Sequence, residues 1–160
     1  MTKSRQVFPH LISRESDHSN GGFDMKKILV CEDEAAIRDF VVINLTRAGY
    51  DVVEADCGEA ALQKYEENNG DFDVAILDVM MPGIDGIKLC QLIKRNLQTC
   101  HIPVLLLSAK GSVDAQTEGI QAGADDYIAK PFSIHLLKGK IANQLKARQR
   151  LKNYYSNTID

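Results

Sequence analysis

Segments typical of β-strands and segments typical of amphipathic helices alternate five times along this chain. Each strand-like segment is short and aliphatic, and each precedes a segment with apolar residues at helical spacing. The predicted strands are Lys26 to Cys31, Asp51 to Ala55, Asp73 to Asp78, Ile102 to Ser108 and Asp125 to Ala129. The predicted helices are Glu34 to Gly49, Gly58 to Glu67, Asp85 to Leu97, Ser112 to Ala122 and Ser133 to about Arg150. This alternation predicts an α/β fold with a mostly parallel sheet and helices on both faces.

The composition of the predicted strands indicates their order in the sheet. The first, third and fourth contain continuous apolar runs, ILV, VAIL and VLLL, which are typical of central strands covered on both faces. The second and fifth, YDVVEA and DDYIA, mix polar and apolar residues, as edge strands do. Five strands in a doubly wound fold favour the order 2-1-3-4-5, which is the flavodoxin-like (βα)5 architecture.

Both ends of the chain lie outside this pattern. Residues 1–24 have neither strand nor helix periodicity and contain a Gly-Gly pair, so we interpret them as a flexible lead-in or a segment foreign to the natural protein. Such a segment is expected to contribute nothing to folding. Residues 25–150 form the predicted domain, and residues 151–160 are predicted to extend its last helix or to act as a linker.

Composition and charge exclude several classes of protein. The chain is 44% hydrophobic and 26% charged, which is ordinary for a globular protein. Its apolar runs are far shorter than the roughly 18 residues of a spanning helix, and its first residues lack the apolar core of a secretory signal. We therefore expect no membrane partner and a cytoplasmic protein. The net charge of −3 argues against wholesale nucleic-acid binding.

The cysteines and the basic C-terminal segment have simple interpretations. The four cysteines show neither CxxC pairing nor metal-ligand spacing, so we expect reduced and mostly buried thiols. They are Cys31, Cys57, Cys90 and Cys100.

No acidic residue occurs from Pro131 to Ile159, whereas six lysines and arginines do. We interpret that segment as a solvated helix face rather than as a polyanion-binding patch.

Acidic and polar residues follow the predicted strands at one edge of the sheet. Glu32 and Asp33 follow the first strand, Asp78 ends the third, Ser108 ends the fourth, and Lys130 follows the fifth. The carboxyl ends of parallel strands meet at the same edge, where ligands bind in folds of this class. Three neighbouring carboxylates repel one another unless a cation is present, and an all-oxygen site suits Mg²⁺. The sequence therefore predicts a magnesium site.

This arrangement predicts phosphoryl chemistry at Asp78. A carboxylate flanked by Mg²⁺ and a lysine can attack phosphorus, because the cations neutralise the oxygens of the transferring group. Asp33 is expected to bind the metal directly, Glu32 through water, and Met80 through its backbone carbonyl. Taken singly, an acid at a strand end is more often a helix cap. Their joint placement favours a functional site.

The remaining two candidates would stabilise the transferred group. Ser108 is expected to donate its hydroxyl to a phosphoryl oxygen, and Lys130 to supply positive charge. Taken singly, a serine here is more often a turn residue and a lysine a solvated charge. The Lys-Pro pair after the fifth strand favours a turn that holds the lysine towards the acids.

Four segments resemble, in order and spacing, the signature segments of response-regulator receiver domains. They are VCEDE, AILDVMMPGIDG, LLLSAK and GADDYIAKPF, and the resemblance covers about Lys26 to Gln149. None of the six matching positions departs from the family pattern. By the resemblance, they are the acidic pair Glu32 and Asp33, the phosphorylation site Asp78, the hydroxyl switch residue Ser108, the aromatic switch residue Tyr127 and the lysine Lys130.

The resemblance also implies partners and a mode of action. The chain would take a phosphoryl group from the phosphohistidine of a sensor histidine kinase, or from a phosphotransfer domain, and would be a signalling phosphoacceptor rather than an enzyme. A switching surface, and a homodimer, would involve the fourth helix, the fifth strand and the fifth helix. A DNA-binding output module would lie outside these residues. Met80 and Lys110 correspond to positions that tune the lifetime of the phosphoryl group.

Two other functions remain open at this stage. A Mg²⁺-dependent phosphohydrolase that forms an aspartyl phosphate would use a similar cluster, but such enzymes usually carry DxD at the nucleophile, whereas Asp78 is followed by Val79 and Met80. A flavin carrier of this fold would need a phosphate cradle. The first loop, CEDEAA, offers no glycine, serine or threonine for one.

Overall fold

The computed structural model describes residues 25–109 and 113–158. In this part of the chain, five parallel strands form one sheet and five helices cover it. The strands are β1 (Lys27–Cys31), β2 (Asp51–Ala55), β3 (Val74–Asp78), β4 (Val104–Ala109) and β5 (Asp126–Lys130). The helices are α1 (Ala35–Arg47), α2 (Gly58–Glu67), α3 (Gly86–Arg95), α4 (Val113–Gln121) and α5 (Ile134–Thr158). The strand order β2-β1-β3-β4-β5 confirms the predicted architecture.

Alternate residues of the central strands fill two cores, one on each face of the sheet. On one face, Leu29 and Leu77 belong to a cluster that includes residues of α2 and α3. On the other, Ile28 and Ile76 belong to a cluster that includes residues of α1 and α5. Because side chains of a strand point alternately to opposite faces, the continuous apolar runs serve both cores.

The edge strands differ from the central ones, as predicted. In β3 all five residues are buried, whereas β2 and β5 each bury only one. The predicted ends of these elements agree closely with the structure, and α5 continues past Arg150 to Thr158, so residues 151–158 extend the last helix, which is one of the two alternatives predicted for them. The segment that follows Arg150 contains neither glycine nor proline, so nothing in it interrupts the helix.

Some sequence-based expectations fall outside the described residues. They concern residues 1–24, Lys110, and Ser112 at the start of the fourth predicted helix. The cysteines are free thiols, of which Cys31 and Cys90 are buried and Cys100 is exposed. No helix in the part of the chain that the structure describes is both long and apolar enough to cross a membrane.

Candidate functional site

The carboxyl ends of β1 and β3 bring three acids together. These strands are neighbours, with Cys31 opposite Leu77, so the residues that follow Cys31 lie beside the end of β3. One carboxylate oxygen from each of Glu32, Asp33 and Asp78 lies within 4.8 Å of the others. Glu32 is fully buried and Asp78 is 3% exposed, whereas Asp33 is exposed. We call these three acids, together with Lys130, the acidic site.

Among the described residues, one lysine faces the two buried acids. Lys130 Nζ lies 2.7 Å from Glu32 Oε1 and 3.2 Å from Asp78 Oδ2. Burial lowers the pKa of Lys130, but its close ion pair with Glu32 and the negative charge of Asp78 outweigh burial, so the pKa lies above its ordinary value. The lysine is therefore a fixed positive charge at neutral pH.

Asp78 is hard to ionise in this environment. Burial, followed by the hydrogen bond with Glu32 and the negative charge of Glu32, raises the pKa of Asp78 to about 7, although Lys130 acts in the opposite direction. Burial also raises the pKa of Asp33, but hydrogen bonds with the Asp78 and Glu32 side chains outweigh it and leave that pKa below its ordinary value. Without a further cation, Asp78 is thus partly protonated at neutral pH.

The donor set fits a hard divalent cation. It consists of carboxylate oxygens, two of the three acids are buried, and Glu32 Oε1 receives no well-directed hydrogen bond although it faces Lys130. Oxygen-only sets of this kind suit Mg²⁺ or Ca²⁺. The backbone of Met80 also reaches the site, since its N–H points at Asp78 Oδ1 at 3.4 Å.

The loop between β3 and α3 folds tightly against Asp78. A Cβ at Gly86 would lie 2.2 Å from the carbonyl oxygen of Asp78, so only glycine fits there. Glu59 in α2 anchors the same loop, because its Oε1 accepts a hydrogen bond of 2.9 Å from the N–H of Ile84. Pro82 and Gly86 belong to the signature segment AILDVMMPGIDG, whereas Glu59 lies outside all four signature segments and was not predicted. Its partner is 25 positions away, and no local pattern reveals such a contact.

The structure separates the two residues that the resemblance pairs as switch residues. Ser108 lies at the same edge as the acids, is 1% exposed, and among the described residues donates one long hydrogen bond of 3.4 Å to the carbonyl of Ala109. Tyr127 lies further from that edge on β5, opposite Leu106, and is half-buried. Its hydroxyl accepts a hydrogen bond from Gln116 Nε2 in α4. Tyr127 therefore connects the sheet to α4.

The model of one protein family matches most of the chain. It is described as the response regulator receiver domain and matches residues 28–142. The transcriptional regulatory protein YrkP of Bacillus subtilis is 45% identical over 120 residues, which cover 75% of this chain and 49% of YrkP. Histidine kinase P4 of Formosa agariphila is 40% identical over 130 residues, which cover 81% of this chain but only 9% of the kinase.

Solved receiver structures have the same fold. The chemotaxis protein CheY4 of Vibrio cholerae, crystallized at low pH, is 32% identical and has a TM-score of 0.69, covering 75% of this chain and 98% of that one. The chain spans about half the length of the regulator YrkP. The match to the family model, the relatives above 30% identity and the shared fold agree, and the chain belongs to the response regulator receiver domain family.

Proposed function

We propose that Asp78 accepts a phosphoryl group from a phosphohistidine of a sensor histidine kinase or of a phosphotransfer domain. The observation that carries this proposal is the position of Asp78, buried at the end of β3 between Lys130 and two further carboxylates. Among the described residues, Lys130 alone faces these acids, and one lysine cannot neutralise three carboxylates. A cation and a phosphoryl group supply what the site lacks.

Mg²⁺ would be held by Asp33 and Asp78 directly, by Glu32 through water, and by the backbone carbonyl of Met80. The bound ion supplies positive charge that favours the ionised form of Asp78 and neutralises phosphoryl oxygens. Asp33 suits direct contact because it is exposed and its pKa is lowered, so it is charged at neutral pH. The buried Glu32 also holds Lys130 in place.

The transfer itself needs little from the protein beyond position and charge. An oxygen of the Asp78 carboxylate forms a bond to phosphorus, while the bond between phosphorus and the histidine nitrogen breaks and its electron pair returns to the imidazole. The product is an acyl phosphate on Asp78. Lys130 balances the charge of the phosphoryl oxygens, and Ser108, whose own hydrogen bond is long, donates its hydroxyl to one of them.

The signal leaves the site through the surface formed by α4, β5 and α5. A phosphoryl group brings about −1.5 to −2 charges and three acceptor oxygens, and Ser108 would move towards them. Helix α4 is weakly anchored, since Ile120, one of its few large aliphatic residues, is 76% exposed. Tyr127 touches α4 through Gln116, so a shift of β4 and α4 would change the position of Tyr127.

The consequence for Ser108 can be tested by NMR. Ser108→Ala should still accept a phosphoryl group at Asp78, more slowly, but should show smaller shift changes around Tyr127. A variant with the same changes as the parent would exclude this route, because a ligand biases two states only through contacts that differ between them.

Further partners stay proposals. The relatives include transcriptional regulators, and we propose an output module of DNA-binding type beyond these residues. A homodimer through α4, β5 and α5 is proposed as well. Lys140 and Asp126 lie on this surface and could pair across such a dimer, but they form a pair of 2.7 Å within one chain. A dimer would either exchange this pair between the two chains or keep it within each chain. The cytoplasmic setting stays a prediction from the sequence.

Intact mass spectrometry tests the proposed function. The protein is incubated with Mg²⁺ and a small phosphodonor such as acetyl phosphate, with Asp78→Asn and an EDTA-treated sample as controls. One added phosphate in the parent with Mg²⁺, and none in the two controls, is the expected result. Equal labelling in EDTA would contradict the role of the metal, and labelling of Asp78→Asn would contradict the role of Asp78.

A further inference from the structure

A groove lies at the amino-terminal edge of the sheet, opposite the acidic site. It has a volume of about 970 Å³ and is enclosed by the second half of α5 and by the loops that precede the strands. Pro103, Leu145, Leu151 and Tyr155 give it an apolar lining. Pockets of this volume are large enough for several side chains of a bound segment. We call it the base groove.

The apolar stripe of α5 continues from the core into the base groove. Leu137 and Ile141 are fully buried on the sheet, and Leu145 is partly buried beside them. Further along the helix, Leu151 is 57% exposed and Tyr155 is 61% exposed. Large apolar residues clustered at the end of a packed stripe mark a surface that binds another segment.

The rim of the base groove carries both signs of charge, with more cations than acids. Lys26, Lys94, Lys146, Arg148 and Lys152 line it together with Asp71, Asp73 and Asp125, of which Asp125 pairs with Lys94 and Asp73 with Arg148. Since the chain contains no acidic residue from Pro131 to Ile159, the α5 side of the rim is the basic side. The α5 side of the groove therefore favours an apolar segment that is connected to acidic residues over a second basic helix.

The lead-in of this same chain has that chemistry and starts at the groove. Lys26 lines the base groove, so the 24 residues before Met25 join the domain at its rim. Residues 7–12, VFPHLI, include four large apolar side chains. Residues 15–24 contain three acids and neither lysine nor arginine. An apolar run, flanked by Arg5 and Arg14, is thus followed by an acidic stretch and tethered beside an apolar groove whose α5 side is basic.

The length of the spacer suits the groove. A flexible chain of the size of residues 13–24 has a root-mean-square span of about 20 Å. The wall of the base groove formed by residues 144–155 of α5 is about 18 Å long. A tether that matches its span gives an effective concentration of about a millimolar, so even weak intrinsic affinity keeps the site occupied.

We propose that residues 7–12 dock in the base groove and fix the second half of α5 against the base of the sheet. This replaces the expectation, from periodicity alone, that residues 1–24 contribute nothing. Periodicity detects segments that form a core of their own, whereas this segment would use a core surface presented by α5. The proposal does not depend on phosphorylation.

Disulfide trapping with the natural thiol of Cys100 tests the proposal. Cys100 is exposed and lines the base groove. His10→Cys places a thiol between the apolar residues of the docking segment, and Ser19→Cys places one in the spacer. Each full-length variant is oxidised at low protein concentration with oxidised glutathione, and the linked peptides are identified by mass spectrometry.

Docking and a free tether predict opposite results. We expect His10→Cys to link to Cys100 at least fivefold faster than Ser19→Cys, and Leu151→Asp to remove that advantage. A free tether favours the position nearer to Met25, so a faster Ser19→Cys reaction would overturn the proposal. Links mainly between two copies would assign the groove to a second chain. A rate unaffected by Leu151→Asp would also overturn the proposal.

Discussion

The acids at the two edges of the sheet differ in how they are paired with cations. At the amino-terminal edge, Asp125 Oδ2 pairs with Lys94 Nζ at 2.7 Å and Asp73 Oδ1 lies 3.4 Å from Arg148 Nη1. Both acids also accept backbone hydrogen bonds of 2.8 Å, from the N–H groups of Val104 and Lys27 respectively. Each of these two acids therefore has its own cation and also binds the backbone at the start of a neighbouring strand.

At the carboxyl-terminal edge, three carboxylates share Lys130. Glu32 and Asp78 are buried, and the burial of charge without a matching partner costs several kcal/mol per ion, on the order of 3. A fold tolerates this only where the charge has a use. The difference between the edges shows that charge imbalance, rather than the number of acids, distinguishes the candidate functional site.

The largest expected effect comes from removing the shared cation. Lys130→Met leaves Glu32 and Asp78 buried without compensation, so the free energy of unfolding in EDTA should fall by about 3 kcal/mol. Urea denaturation measures it, and Mg²⁺ should restore part of the loss. A change below about 0.5 kcal/mol would mean that the two edges do not differ in this way.

Neutralising Asp78 should raise the free energy of unfolding, whereas removing Lys130 should lower it. The pKa of about 7 means that ionised Asp78 opposes folding at high pH, so Asp78→Asn should stabilise the EDTA-treated protein by about 2 kcal/mol at pH 8. Asp125→Asn is the matched variant at the other edge and should be destabilising, because it weakens an existing pair. If both substitutions destabilise, the acidic site carries no excess charge.

The same pKa predicts the pH dependence. Since the pKa of folded Asp78 is raised above its ordinary value of 3.8, the folded state holds a proton that the unfolded state loses, and stability falls as the pH rises from about 4 to 7. The lowered pKa of Asp33 affects stability only at pH values below this range, because it lies below the ordinary value of 3.8. Asp78→Asn should flatten the slope in thermal unfolding between pH 4 and 7, and an unchanged slope would assign it elsewhere.

Mg²⁺ should stabilise the protein most at pH values at which Asp78 is ionised. At a concentration tenfold above its Kd, Mg²⁺ should stabilise the parent by about 1.4 kcal/mol at pH 8 and by less at pH 6, where protons compete. Calorimetric unfolding with and without EDTA measures this difference. Equal stabilisation of Asp78→Asn would show that the ion binds outside the acidic site.

The smallest expected effect is at the amino-terminal edge. Lys94→Met removes the pair with Asp125 and the hydrogen bonds to the carbonyls of Cys100 and Ile102, and should cost about 1 kcal/mol of stability. Phosphorylation by acetyl phosphate should be unchanged. A slower reaction in this variant would mean that the two edges are coupled.

The sequence predicted the architecture because the information is local. Apolar runs and their spacing give the strands and helices, and the mixed character of YDVVEA and DDYIA correctly indicates the edges. The meeting of Glu32, Asp78 and Lys130 follows from the topology alone, since parallel strands end at one edge.

Contacts between residues that are distant in the sequence could not be predicted from it. The bond from Ile84 to Glu59, the bond from Gln116 to Tyr127, and the pair of Lys140 and Asp126 within one chain depend on how helices sit on the sheet. The cysteines show the same limit: apolar neighbours predicted mostly buried thiols, but Cys100 is exposed.

The most direct test of the central claim is to locate the phosphoryl group. An aspartyl phosphate is reduced by borohydride to homoserine, which peptide mass spectrometry detects at a single position. After treatment with Mg²⁺ and acetyl phosphate, we expect homoserine at position 78 and unmodified aspartate at Asp33 and Asp85. Homoserine at another position with Asp78 intact, or none despite an added phosphate in the intact mass, would contradict the assignment of Asp78.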